Sequence, residues 1–408
     1  MVETVDLLIK NASEVVTLKG PNKPRTKKQM SNLGIIKKGS IAVKNDRIID
    51  VGTNLNYKSK NTIDAAGKTV LPGFVDPHTH LVFAGSREFE LDWKLQGLSY
   101  MDILKKGGGI TYTVDKTRKA SSKQLFDESK RRLDKMLLHG TTSCEAKSGY
   151  GLDTETELKI LKVNKKLNES HPVDIVSTFL GAHAIPKEFT PEKYTKIVID
   201  EMLPKIANYA KFCDVFCEKG VFTPEQSKKI LLASKKHGLI PKIHADEIVD
   251  TGGAGLAADI GAISADHLLM SSDAGLKKMA KKGVIGVMLP GTPFSLMMKD
   301  YADARKMIDM GIPVALATDL NPNCYIENMQ FMMQLACFNM KMTPAEAVCA
   351  STFNSACAIG LNHKVGSLEK GKQADIIVLD CPSHLWIPYH FGVNLTKTVV
   401  KNGLVLIN

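Results

Sequence analysis

The chain has 408 residues, of which 44% are hydrophobic and 24% charged, with a formal net charge of +11 and eight cysteines. That length allows one large or two medium domains with a sizeable core. No run approaches ~20 uninterrupted apolar residues, which excludes a membrane-spanning helix. The acidic opening Glu3-Thr4-Val5-Asp6 lacks the basic start of a secretory leader, so a cytoplasmic setting is expected.

The positive charge comes mostly from lysines spread along the whole chain. Groups such as Lys130-Arg131-Arg132 and Lys277-Lys278 fall in helix-like segments, where a solvated face is the ordinary reading. Without clustering or an aromatic platform, no nucleic-acid partner is expected; a basic surface suits an anionic small molecule. The cysteines form no C-x-x-C pair and read as reduced core thiols.

Residues 5–70 alternate as short strands, at 5–9, 15–18, 35–36, 40–43 and 47–51, with turns such as Asn45-Asp46 between them. The Lys- and Pro-rich stretch 19–32 has no apolar period and reads as an exposed loop. Next comes Leu71-Pro72-Gly73-Phe74-Val75-Asp76-Pro77-His78-Thr79-His80, read as one buried strand whose alternation turns His78 and His80 to the same side.

A helix is expected over 121–139, opened by a Ser121/Gln124 capping box and stopped by Gly140. Strand candidates follow at 141–145, 173–184, 212–217, 239–245, 262–267, 284–289 and 313–319. With the run at 71–80 they number eight, most separated by helical segments, the pattern of an α/β chain folded as a (β/α)8 TIM-type barrel. From residue 366 short strands return at 374–380, 398–401 and 404–406. Too short to fold alone, they complete the sheet begun at the N-terminus. The expected organisation is a small discontinuous β-sandwich of residues 1–70 plus 366–408, bracketing a barrel of residues 71–365.

Barrel enzymes carry their chemistry at the carboxyl ends of the strands. There this chain places His78 and His80, His183, His244, His267 and Asp319. Three imidazoles and a carboxylate, His78, His80, His244 and Asp319, form a mononuclear metal set with a position left for a water that the metal acidifies. Lys147 is the nearby candidate to bridge a second metal; placed beyond a strand end, it reads instead as a structural salt-bridge former. Glu247, three residues after His244, is either a proton shuttle for a substrate nitrogen or a helix N-terminal acid, a role that suits Asp246 better. His267 either takes a proton from the water or braces the ligands. Arg87 suits a two-pronged hold on a carboxylate. Tyr150 lies between glycines on a loop, and Asn321, Asn323 and Cys324 border the same mouth. Gly107-Gly108-Gly109 lacks the Lys-Ser/Thr of a phosphate loop and reads as a turn.

At these residues the chain resembles the amidohydrolase superfamily. The broad cues are Pro72-Gly73-Phe74-Val75-Asp76-Pro77-His78-Thr79-His80, His244, His267, Asp319 and the closing stretch from Gly366 to Asp375. More narrowly it is similar to the imidazolonepropionases, through Phe83-Ala84-Gly85-Ser86-Arg87-Glu88, Lys147-Ser148-Gly149-Tyr150-Gly151, Gly181-Ala182-His183, His244-Ala245-Asp246-Glu247 and Asp319-Leu320-Asn321-Pro322. The resemblance implies ring-opening hydrolysis of 4-imidazolone-5-propanoate to N-formimino-L-glutamate at one Zn2+ or Fe3+ per subunit, in a homodimer. It implies that His78, His80, His244 and Asp319 hold the metal, and that Arg87 binds the propionate. Tyr150 and His183 would line the pocket, Glu247 would bond the ring nitrogen, and His267 with Asp319 would move the protons of the water. Attack is expected at the ring carbon between the nitrogens. The resemblance also implies substrate binding by Asn321, Asn323 and Cys324, but Asn323-Cys324 departs from the Gly-Ser/Thr usual in the family, and a side chain at 323 and a thiol at 324 would alter the carboxylate contacts made there. A heterocycle deaminase and a scaffold that has lost catalysis are the competing readings; Arg87 and Tyr150 speak against the first, and the full ligand set against the second.

Overall fold

The computed structural model describes residues 2–98 and 100–408. The N-terminal strands are β1 (Thr4–Val16), β2 (Ile35–Lys44), β3 (Arg47–Thr53), β4 (Lys58–Asp64) and β5 (Thr69–Pro72). The expected pairs of short strands at 5–9 and 15–18, and at 35–36 and 40–43, are each one continuous strand. The polar break between the first two is a bulge between Ile9 and Ala12, where Asn11 takes a left-handed φ of 63°. β4 was not expected from the sequence, because its exposed Lys58-Ser59-Lys60-Asn61 carries no apolar alternation.

The stretch 19–32 is more than an exposed loop. It holds a 3-10 turn, Lys27–Ser31, with Met30 buried. Arg25 is also buried: its amide donates to Asn354 Oδ1, and its guanidinium donates to the Leu18 carbonyl and stacks 4.6 Å from the Phe353 ring centre.

The run at 71–80 is likewise not one strand. β5 ends at Pro72, Gly73 intervenes, and β6 (Phe74–Asp76) begins in a different sheet. At Gly73 a Cβ would overlap the Thr142 side chain, so the crossing between sheets has room only for glycine. The barrel continues with β7 (Thr141–Lys147), β8 (Asp174–Ala182), β9 (Phe212–Cys217), β10 (Ile240–Ala245), β11 (Ser264–His267), β12 (Ile285–Met288) and β13 (Val314–Leu316), all parallel and in sequence order. These are the eight strands expected from the sequence; β7 runs further, taking in Lys147 as its last residue. Ser121 caps the helix Ser122–Leu138 by accepting from the Gln124 amide, but the Gln124 side chain turns to Glu128, so the capping box is only half made. Arg132 of this helix is buried instead of lying on a solvated face; it donates to the carbonyls of Leu81 and Phe83.

β14 (Ile376–Leu379), β15 (Thr396–Lys401) and β16 (Leu404–Ile407) return to the first sheet. β14 lies antiparallel to β5, giving the order β16-β15-β14-β5-β1-β2-β3, with β4 also paired to β1. Leu7, Ile9, Ile41, Val43, Val70, Ile376, Val378 and Val400 from both chain ends share one buried core. Apolar burial of this kind stabilises by ~25 cal/mol per Å² removed from water.

Between β13 and β6 the barrel closes through the residues that follow each strand. Thr79 bridges Leu320, the His80 amide donates to the Leu320 carbonyl over 2.8 Å, and the Asp319 amide donates to the His78 carbonyl over 3.1 Å. Asp76 completes the seam by accepting from the Thr318 amide and hydroxyl. The closure itself therefore sets Asp319 against the two histidines.

Candidate active site

His78 and His80 follow β6 and lie beyond its ladder, so the strand alternation expected for them is not what aligns them; the Thr79–Leu320 bridge does that. His78 Nδ1 is 2.7 Å from Asp266 Oδ2, which leaves its buried Nε2 without a protein partner, 3.4 Å from Asp319 Oδ1. His80 Nε2 lies 3.7 Å from the same oxygen. His244, near the end of β10, has its ring centre 4.6 Å from that of His78, and its Nδ1 lies 2.9 Å from Asp214 Oδ2. His267, last in β11, has its ring centre 5.2 Å from His244 and 5.5 Å from His78. Donor atoms of His78, His80 and Asp319 lie within 4.8 Å of one another, as do those of His78, His244 and His267. The two sets share His78.

Burial drives His78, His80 and His244 well below the ordinary imidazole range and pushes His183 and His267 down to about 4. Neutral imidazoles with buried, unpartnered nitrogens at His78 Nε2 and His244 Nε2, and with His80 Nε2 turned to Asp319, are the donor chemistry a transition metal takes, and the set fits one. Beneath it lie two buried lysines and three buried carboxylates. Lys147 Nζ stands 2.7 Å from Asp214, 3.0 Å from Glu145 and 3.3 Å from Asp266, and Lys242 Nζ is 2.8 Å from Glu145. Two cations against three anions leave one negative charge under the imidazoles, which favours a cation above it. Lys147 is thus a salt-bridge former, as expected, and the same carboxylates orient His78 and His244. Nothing in the spacing of the sequence gave Asp214 and Asp266 away as partners of these rings.

Asp319 is held from its other side by the Thr292 hydroxyl, which donates to Oδ2 over 2.7 Å; burial pushes its carboxyl up to about 7. His267, Leu268, Asp246 and Asp319 all adopt left-handed φ values of 73°, 59°, 50° and 55°. Non-glycine residues avoid this region at a cost of roughly 1–2 kcal/mol each, and such outliers concentrate where a site is held in shape by its surroundings.

Glu247 sits in the bend after β10 and does not begin a helix. That part falls to Asp246, which accepts from the Gly253 and Ala254 amides at the start of the helix Gly253–Ile260. Glu247 Oε1 is 3.6 Å from His267 Nδ1, and burial, reinforced by Asp319 and Glu218, pushes its carboxyl up to about 8.

Tyr150, buried, lies with its ring centre 5.4 Å from His80 and 5.3 Å from His183, and His183 stacks on His80 at 4.8 Å. Burial raises the Tyr150 phenol far above its ordinary value, so it remains a donor. Its loop is fixed by Glu157, whose carboxylate accepts from the amides of Gly149, Gly151 and Leu152. The His183 Nδ1 is 3.0 Å from the Gly149 carbonyl. Arg87 precedes the helix Glu88–Leu95; its charge reaches both Tyr150 and His183, and its buried Nε has no hydrogen-bond partner. Glu90 Oε1 lies 3.8 Å from that nitrogen and accepts from the Gly109 amide over 2.6 Å. The triple glycine therefore docks a helix start on Glu90, a firmer role than a plain turn. Arg132, missed in the sequence, supports this wall: besides holding Leu81 and Phe83, it lies 3.6 Å from the Phe83 ring centre and donates to the Tyr325 hydroxyl.

After Asp319, the Asn321 amide is committed to its own turn, accepting from the Asn323 and Cys324 amides and donating to the Asp319 carbonyl. The buried Cys324 thiol faces the Thr318 carbonyl at 3.6 Å. Asn323 Oδ1 accepts from Lys94 Nζ over 2.7 Å.

Residues 69–406 match the Amidohydrolase family. An imidazolonepropionase of Alkaliphilus metalliredigens (strain QYMF) is 54% identical, covering 99% of this chain and 98% of its own. One from Geobacillus kaustophilus (strain HTA426) is 53% identical, with 98% of each chain covered. Among solved structures, an adenosine deaminase from Xanthomonas campestris with bound zinc superposes with a TM-score of 0.73 at 16% identity, covering 100% of this chain and 94% of that one, a likeness of fold. Family membership and the donor set together support a metal cofactor. Among the described residues no helix is long and apolar enough to cross a membrane. With a barrel of eight parallel strands, a separate sheet from its two ends and full-length identity above one half, this chain belongs to the amidohydrolase family and, within it, to the imidazolonepropionases, hydrolases of a carbon–nitrogen bond.

Proposed function

We propose that this enzyme hydrolyses 4-imidazolone-5-propanoate to N-formimino-L-glutamate, with His78, His80, His244 and Asp319 holding one zinc or iron ion per subunit. The observation that carries the reading is the convergence of these four residues and His267 at one end of the barrel, beside the wall of Tyr150, His183 and Arg87. The cation, when bound, supplies Lewis acidity toward water and the ring carbonyl.

The remaining steps fall to the protein's own groups. Arg87 holds the propionate, its unpartnered Nε offering one prong. Tyr150 and His183 confine the ring. His267, neutral, accepts a proton from the attacking water. Attack at the carbon between the two nitrogens, the expectation from sequence, would break one of its bonds to nitrogen and give an N-formyl amide instead. N-formimino-L-glutamate keeps both bonds from that carbon to nitrogen and gains a carboxylate at the former ring carbonyl. Water oxygen therefore adds to the carbonyl carbon, the bond from that carbon to its ring nitrogen breaks, and the nitrogen takes a proton. Glu247, protonated near neutral pH, is placed to give it. His267 passes its proton to the ionised Glu247, 3.6 Å away, and the proton of the new carboxylic acid leaves to solvent by way of Asp319.

The enzyme is taken to work in the cytoplasm as a homodimer, with residues 1–70 plus 366–408 and residues 71–365 as its two units. Incubation with imidazolone propionate, following formiminoglutamate and ammonia separately alongside elemental analysis, tests the function. Formiminoglutamate without ammonia is the expected outcome; ammonia release from a heterocycle such as guanine, with no ring opening of the propionate, would establish the deaminase reading instead.

A further inference from the structure

We propose that Lys94 is a second cation for the carboxylate of the substrate, positioned by Asn323, and so a specificity-determining residue of this enzyme. The inference rests on the reading of function above. Lys94 lies in the last turn of the helix Glu88–Leu95, the helix that Arg87 precedes. A lysine there is ordinarily explained by the negative end of the helix dipole. Here the ammonium instead crosses to the loop after Asp319 and donates to Asn323 Oδ1 over 2.7 Å. It thereby ties the helix that Arg87 precedes to the loop leading from Asp319.

Three features suit it to an anion. An ammonium has three donors, and the neutral amide of Asn323 takes one. Among the described residues Lys94 has no carboxylate within ion-pair distance, unlike the surface lysines paired in i,i+4 fashion such as Lys119 with Asp115 and Lys123 with Asp127. The site is also half-buried, which strengthens an ionic contact. Burial and the neighbouring positive charge of Arg87 hold the Lys94 pKa below its usual value, while Glu90 opposes them. Arg87 and Lys94 against Glu90 leave one positive charge, which matches a single propionate.

The test compares kcat and KM of wild type, Lys94→Met, Lys94→Arg and Asn323→Ala on imidazolone propionate and on its methyl ester, which lacks the charge. Loss of one charge-assisted hydrogen bond predicts for Lys94→Met a KM about ten-fold higher on the acid with kcat within about two-fold, and no change on the ester. Lys94→Arg retains most of the binding; Asn323→Ala gives a smaller rise of about three-fold, because the ammonium keeps its charge but loses its brace. Weaker binding of N-formimino-L-glutamate to Lys94→Met, measured by calorimetry, gives the same answer without turnover. An unchanged KM on the acid, or an equal rise on acid and ester, would overturn the proposal and leave Lys94 as a clip between loops. Failure of the wild type to open the ring would show in the parent enzyme, and would strike the function itself.

Discussion

The hydroxyl of Thr292 donates to Oδ2 of Asp319, and this fixes which carboxylate oxygen faces the histidines. Oδ1 is left toward His78 and His80, at 3.4 and 3.7 Å. Thr292→Val keeps the shape and removes the donor. Groups that orient metal ligands in this way are typically worth about 10–100-fold in metal affinity or activity. The variant is expected to lose metal to a competing chelator more readily, with its melting temperature in excess metal close to wild type. An unchanged metal affinity would remove Thr292 from this role.

His244→Ala takes away an imidazole whose Nε2 has no protein partner. Substoichiometric metal and loss of ring opening are expected together, read by elemental analysis and turnover on the same preparation. A variant with full metal and full activity would show that His244 is not a ligand.

Lys147 balances three buried carboxylates, and Lys147→Met leaves Asp214 and Asp266 without their cation. Removing one partner from a buried ion pair costs roughly 3–5 kcal/mol, so a large drop in the denaturant midpoint is expected. A change of less than about 1 kcal/mol, the scale of an exposed pair, would mean that water reaches the cluster.

Away from the site, His171 gives the fold a dependence on pH. Its Nε2 lies 3.1 Å from Asp134 Oδ1, and its Nδ1 accepts from the Val173 amide over 3.2 Å, an arrangement open only to the neutral ring. Burial holds its pKa below the ordinary 6.5, against the pull of Asp134. The unfolded chain therefore binds the proton more tightly, and this contribution to stability is present above pH ~6.5 and is lost as pH falls toward the folded value. Urea midpoints at pH 7.5 and 5.5 should differ more for wild type than for His171→Asn, whose amide oxygen keeps the contact to Val173. Equal differences would exclude His171 as the source.

The barrel was legible in the sequence because each strand is a short apolar run ending in a polar residue, and the sheet of both ends because its strands are β-branched and punctuated. What escaped reading depended on contacts between distant residues. Arg25 and Arg132 look like surface cations until Asn354 and the Leu81 carbonyl come to meet them. β4 has no apolar pattern, because its order comes from pairing with β1. The histidines and Asp319 were found by residue type and place, whereas their supports, Asp214, Asp266, Thr292 and Glu157, sit in unremarkable sequence. Asn321 drew notice by its position, yet its amide closes a turn.

A single glycine separates the last residue of β5 from the first of β6, and its amide donates to the Asp375 carbonyl just before β14. The end sheet is therefore spliced into the barrel wall five residues ahead of His78, with only β6 and Pro77 between. Such a joint has no slack to act as a hinge: any tilt of that sheet would be delivered through β6 to His78 and His80. Insertion of one extra residue at position 73 should accordingly disable the enzyme more severely than the same insertion at Gly67, where the turn is open.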